Sequence, residues 1–202
     1  MVSHCIRRSA RFLQAIADMN MNLLTVFALL GLSLNPQVAP ADSTMHLDQH
    51  TLSRIHQINQ MEIKAAKLAL KKSNSADVQS FANRIIRDHT DADQMVKEVA
   101  QKDHIELVSP PVPASAQERK DAVANRSAMR NLATLSDGAF ETTYKKMMED
   151  GHQKAIAYLS EVELKVKTKN IQDLIQKLLP NFQHHEALAQ QLPSGSSVTR
   201  TG

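Results

Sequence analysis

The stretch "SFANRIIRDHTDADQMVKEV" (80–99) decides how the chain is read. Phe81, Ile85, Ala92, Val96 and Val99 recur at intervals of three, four and seven, which is the stripe of an amphipathic helix and not the alternation of a strand. His89 falls on that stripe, four after Ile85, three before Ala92 and seven before Val96. A histidine on an apolar stripe is a packed residue, a hydrogen-bonded residue or a ligand, and its partners on other helices decide between these.

The same pattern returns in "YKKMMEDGHQKAIAYLSEV" (144–162). Superposed on His89 and His152, the two segments match Phe81 with Tyr144, Ile85 with Met148, Val96 with Leu159, Glu98 with Glu161 and Val99 with Val162. Each is flanked by another helical segment. Asp48 to Lys72 carries Leu52, Ile55, Ala66 and Ala69 on one stripe, and "SNSA" (73–76) supplies a turn with N-cap candidates. The second segment then runs to Lys102, the third from Ala139 to Lys167 and the last from Asn170 to Gln191.

Between the halves, "VSPPVPAS" (108–115) places three prolines in four positions and cannot be helical. Ser115 and Glu118 form a capping-box pair, opening a shorter helix to Leu135 with Val123, Met129, Leu132 and Leu135 on one side. Low glycine and the lack of strand alternation make the chain all-α. The doubled hairpin with a long connection predicts a ferritin-like four-helix bundle whose crossover carries the extra short helix. Residues 42–192 form that domain, and "PSGSSVTRTG" (193–202) reads as a disordered tail.

Residues 1–41 read as a signal peptide. Arg7, Arg8 and Arg11 precede a 12-residue apolar run, "LLTVFALLGLSL" (23–34), which is short for a membrane span, and "APA" (39–41) suits cleavage after Ala41. The alternative is an uncleaved N-terminal anchor. A Sec-type signal predicts a periplasmic or otherwise secreted protein. Cleavage would remove Cys5, the only cysteine, and with it thiol chemistry and any internal disulfide. It would leave 21 basic and 20 acidic residues, a formal charge of +1. With no tryptophan, few aromatics and no basic block, nucleic-acid binding is excluded. An envelope protein or a membrane surface is the partner class left open.

Polar residues pass the same stripe test on each long helix. Glu62 lies seven after Ile55 and four before Ala66, and His185 lies three after Phe182 and four before Ala189. With His89 and His152, each main helix therefore turns one ionisable group toward the apolar seam. Carboxylate and imidazole together suit iron, zinc or copper. Asp93, four after His89, and Glu149, three before His152, are further carboxylate candidates, so the candidate metal ligands are Glu62, His89, His152, His185, Glu149 and Asp93. Glu149-x-x-His152 is the one Glu-x-x-His pair present; Ile86 and Phe182 stand at the matching places before His89 and His185, so a full di-iron carboxylate set is missing.

Asp88, Asp91, Asp150, His184 and Glu186 read as solvent-facing or supporting residues, and His46, His50, His56 and His104 lie outside the set. The methionines read as core filler. Pro180 removes a backbone hydrogen bond inside the last helix and predicts a bend there.

The chain resembles the bacterial envelope proteins catalogued as domain of unknown function 4142, a family expected to be ferritin-like. The resemblance rests on "EIKAAKLALKKSNSADVQSFANRIIRDHTDA" (62–92), "LSDGAFETTYKKMMEDGHQKAIAYL" (135–159) and "LLPNFQHHEALAQQL" (178–192). It implies an Asp-His pair on the second and third main helices and a Leu-Pro segment followed by a histidine on the last. These fall on Asp88-His89, on Leu179-Pro180 with His185, and on Gly151-His152, where glycine replaces the usual aspartate. The resemblance implies fold and envelope location and no activity. No serine elbow, thiol or glycine-rich phosphate loop points to an ordinary hydrolase, and no catalytic residue is assigned. Three functions stay open: a metal-binding bundle with a stress-protective or redox role, a non-catalytic envelope protein whose buried Glu–His network fixes the bundle, and a histidine-based pH sensor.

Overall fold

The five helices of the computed structural model, which describes residues 40–194, are α1 (Pro40–Lys72), α2 (Ala76–Lys102), α3 (Ala116–Thr134), α4 (Asp137–Glu163) and α5 (Lys169–Gln191), and no strand occurs among those residues. The fold is all-α. The predicted signal sequence up to residue 39 and the tail from 195 lie outside the described residues. No helix among the described residues is long and apolar enough to cross a membrane.

Local sequence explains the ends. Ser75 caps α2 by accepting from the Val78 amide at 3.4 Å, and Ser115 caps α3 by accepting from the Glu118 amide at 3.1 Å. The Glu118 carboxylate does not return to the Ser115 amide as a strict capping box would; it accepts from the Ala114 amide at 2.6 Å. It also pairs with His50 at 3.0 Å and Arg54 at 3.0 Å, so it fastens α3 to α1. Two bounds differ by more than two residues from those the sequence pattern predicts. α1 begins eight residues before Asp48, and α4 ends at Glu163, where exposed Leu164 turns the chain so that Val166 can be buried.

α1 packs along α2 and α4 along α5, and the two pairs meet through α2 with α5 and α1 with α4. The core between them falls into two apolar clusters. One contains Leu52, Ile55, Val96, Leu159, Leu178 and Phe182; the other contains Ala66, Phe81, Ile85, Phe140, Tyr144 and Met148. α1 and α5 pass from the first cluster to the second along the chain, while α2 and α4 pass from the second to the first. The paired helices are therefore antiparallel. Fully burying an aliphatic or aromatic side chain stabilises by about 1.5–3 kcal/mol, so these clusters carry the fold.

α3 contributes much less than its pattern suggests. Val123 is 56% exposed, and Leu132 is the one buried residue of the helix. Lys72 Nζ donates to the carbonyls of Ala133 and Leu135 at 2.7 Å each, while Glu118 holds the other end beside His50 and Arg54. α3 is thus pinned at both ends alongside α1, with its middle turned outward. Pro180 is exposed and α5 is continuous through it, so the missing hydrogen bond faces water.

Candidate metal centre

Between the two apolar clusters lies one polar layer, and every long helix supplies part of it. On α1, Asn59 and Glu62 stand between Ile55 and Ala66. His89 stands between Ile85 and Ala92, His152 between Met148 and Ala155, and His185 between Phe182 and Ala189. Side chains three or four residues apart share a helical face, so these groups cannot leave the core without their apolar neighbours leaving too.

His89, His152 and His185 are 1%, 0% and 1% exposed, and one ring nitrogen from each lies within 4.8 Å of the others. Their ring centroids form a nearly even triangle of 5.6, 5.2 and 5.4 Å. Each imidazole is held through one ring nitrogen. His89 Nδ1 meets Asn59 Oδ1 at 2.9 Å, His152 Nδ1 meets the Met148 carbonyl at 2.8 Å, and His185 Nε2 meets Asp88 Oδ2 at 3.0 Å. All three partners are acceptors, so these nitrogens carry the protons. The remaining nitrogens, Nε2 of His89, Nε2 of His152 and Nδ1 of His185, have no hydrogen-bond partner. Three fixed tautomers thus offer three lone pairs, which is how protein sites orient imidazole ligands from behind.

The electrostatics keep His89 and His185 neutral. Burial pushes the His89 pKa well below its usual value, and the neighbouring His152 and His185 add to this. Burial also lowers His185, to about 4, although the hydrogen bond to Asp88 opposes the shift. Glu62 is 8% exposed, and burial raises its carboxyl while the nearby His152 counteracts. Phe182 closes the site on one side, its ring 5.1 Å from His89 and 5.8 Å from His152.

Of the six candidates, the structure gathers three. Glu62 lies against the cluster without entering the triangle: its Oε1 is 3.9 Å from His152 Nδ1, and its Oε2 has no partner. Asp93 is held elsewhere, by His56 Nδ1 at 2.5 Å, Lys97 at 2.8 Å and Gln60 at 2.9 Å. Glu149 faces Lys145 at 3.8 Å on the half-buried side of α4. Asp88 is a supporting residue, and two bonds, from His185 and Arg87, keep its carboxyl below its usual pKa against partial burial. Asn59 is fully buried, yet a stripe test confined to ionisable groups passes over it. It lies four after Ile55 and three before Glu62, so the same test finds it once uncharged polar residues are admitted.

Gly151, the departure from the Asp-His pattern, has a steric role. A Cβ there would sit 3.0 Å from Glu62 Oε1, so the glycine gives that carboxylate its room beside His152.

A family model described as Domain of unknown function (DUF4142) matches residues 33–192. The chain belongs to this family. A comparison with curated proteins finds no match. Among solved structures, CopM in the Cu(I)-bound form is 19% identical, with a TM-score of 0.56 over 71% of this chain and 93% of that one. CopM in the apo form is 20% identical, with a TM-score of 0.54 over 71% and 93%. A DUF305 fragment from Deinococcus radiodurans is 16% identical, with a TM-score of 0.61 over 72% and 93%. At these identities the DUF4142 chain shares a fold with them, and the site is argued from its own residues.

Proposed function

We propose that this DUF4142 protein binds one transition-metal ion, copper(I) before others, at His89, His152 and His185, and that it works in the periplasm as a protective metal-holding protein. In this reading the long helices are a ferritin-like four-helix bundle, α3 belongs to its crossover, and the first 41 residues direct export. The observation that carries the proposal is three buried imidazoles that each bring a ring nitrogen within 4.8 Å of the others, each with one nitrogen hydrogen-bonded and the other unpartnered.

The geometry is close to what an ion needs. A point equidistant from three atoms 4.8 Å apart is about 2.8 Å from each, so bonds of about 2.0–2.1 Å require shifts under ~1 Å. Copper(I) is favoured over a divalent ion because the triangle contains no anion, and the cost of burying charge grows with its square. Imidazole suits copper in either case. The CopM structure with Cu(I) bound lends support, since a protein of similar fold holds that ion. Closure by Phe182 leaves little room for substrate, which favours holding the ion over catalysis. The competing view, a purely structural Glu–His network, calls for hydrogen bonds between these groups, and the remaining ring nitrogens make none.

The test is anaerobic titration of the mature chain with copper(I) against a chromogenic chelator, with zinc titrated in parallel. One tight copper(I) site per chain, lost in His89→Ala and in His185→Ala, is expected. A wild-type chain with no tight site refutes the proposal.

A further inference from the structure

The histidine triangle is sealed, so an ion has to be led to it. Three polar side chains flank it. Asn59 is committed to His89, and Asp88 to His185 and Arg87. The third is Glu62, beside His152, whose Oε2 is buried and unpartnered. Glu62 also forms the inner wall of a cavity of about 400 Å³ between α1, α3 and α4, together with Met61, Met147, Asp150 and Gly151. The same carboxylate therefore faces the cavity on one side and His152, at 3.9 Å, on the other. Gly151 lies at this junction, and any side chain there would crowd Glu62 Oε1.

The lining has the chemistry of a path for a soft cation. The Met61 and Met147 thioethers are half-buried on the cavity wall, and thioethers select copper(I). Lys146 at the cavity is paired with Asp150 at 2.9 Å, which offsets its positive charge. The outer wall is α3, whose central residues bury almost nothing against the body. A segment with few buried contacts opens at low cost.

We infer that this cavity is the loading vestibule of the metal centre, in which Met61 and Met147 receive copper(I) and Glu62 passes it to the histidines. The ion keeps its charge throughout, and only its ligands change. Glu62 is then a transfer residue, and Gly151 is the space in which it moves. The inference rests on the proposed copper site, and kinetics separates the two.

Transfer of copper(I) from a chromogenic chelator complex to the full mature chain is followed by stopped flow, with stoichiometry read at the end point and folding checked by circular dichroism. Glu62→Gln, Gly151→Ala and the volume-conserving pair Met61→Leu with Met147→Leu are expected to slow loading on the order of tenfold while the end point stays at one copper per chain. Asp88→Asn, on the other flank, is expected to weaken affinity about 10–100-fold without slowing loading. Unchanged loading rates in the cavity variants overturn the vestibule and leave the copper site standing. Loss of stoichiometry in Glu62→Gln also overturns it, by making Glu62 a ligand. A wild-type chain that binds no copper ends both.

Discussion

Acid should unfold the metal-free protein through its histidine layer, and the size of the effect follows from the site. An unfolded histidine titrates near 6.5, whereas His185 in the fold titrates at about 4 because burial disfavours its charged form. Between those values the unfolded chain binds the proton and the folded chain does not. Stability from His185 is therefore complete above pH 6.5 and is lost as pH falls toward 4. A difference of about 2.5 pH units corresponds to about 3 kcal/mol. His89 acts in the same direction, since burial and its two histidine neighbours lower it too.

Glu62 opposes them. Burial raises its carboxyl, so the folded chain holds a proton there that the unfolded chain releases above about pH 4.5. This offsets part of the loss while His89 adds to it, so the size of the effect is set by the roughly 3 kcal/mol from His185. That is a large share of the ~5–15 kcal/mol by which domains are stable. Urea unfolding of the metal-free chain at half-unit steps from pH 7 to pH 4.5 measures it, and Glu62→Gln should steepen the decline by removing the opposing group. Stability that stays level between pH 7 and pH 5 would refute the reasoning, because it would mean the imidazoles charge in the fold at no cost.

Two further outcomes test the surroundings of the site. The buried Tyr144 hydroxyl has no partner, so Tyr144→Phe, which keeps the ring against Phe81 and Phe140, should leave urea stability unchanged or raise it by ~1 kcal/mol. In α3, Leu132→Ala should cost about 2–5 kcal/mol by thermal or urea unfolding, while Val123→Ser, at an exposed position, should stay within ~0.5 kcal/mol.

Helix spacing alone makes the three histidine positions visible, because a residue locked between apolar neighbours at three, four and seven has only one direction to face. The same spacing cannot rank candidates one turn away. Asp93, four residues on from His89, is rotated about 40° from it, and Glu149, three before His152, about 60° in the same sense. Those angles suffice to carry Asp93 to His56 on α1 and Glu149 to Lys145. Which flank of a helix meets which neighbour is a tertiary fact with no local signal. α3 illustrates the converse: its apolar side resembles a core stripe, yet only Leu132 is fully buried, with Met129 and Leu135 half-buried against the core and Val123 exposed, because the pins at Glu118 and Lys72 hold the helix beside α1 and not beneath it.

The polar layer also has to be weighed against simpler ways of fixing helix register. The ends of the body are already tied by hydrogen bonds between distant parts of the chain: Thr168 to Asp48, Asn170 to Asp103, Ser73 to Glu141 and Gln49 to the Glu106 carbonyl. Each has a partner at a helix end or in the loop beyond one, where register can be set without dividing the core, although Asp48 Oδ1 and Asp103 Oδ2 stay unpaired. The histidine layer does the opposite. It divides the apolar core in two and leaves three imidazole nitrogens, the Asn59 amide nitrogen and a Glu62 oxygen unpaired, each costing about 1–3 kcal/mol. A layer serving register alone would place donors opposite acceptors. Here the three imidazole N–H groups donate to Asn59, Met148 and Asp88, and the ring nitrogens left over are acceptors without a donor. Three unpaired imidazole lone pairs on one buried cluster are complementary to a cation, and a cation is what would offset their cost.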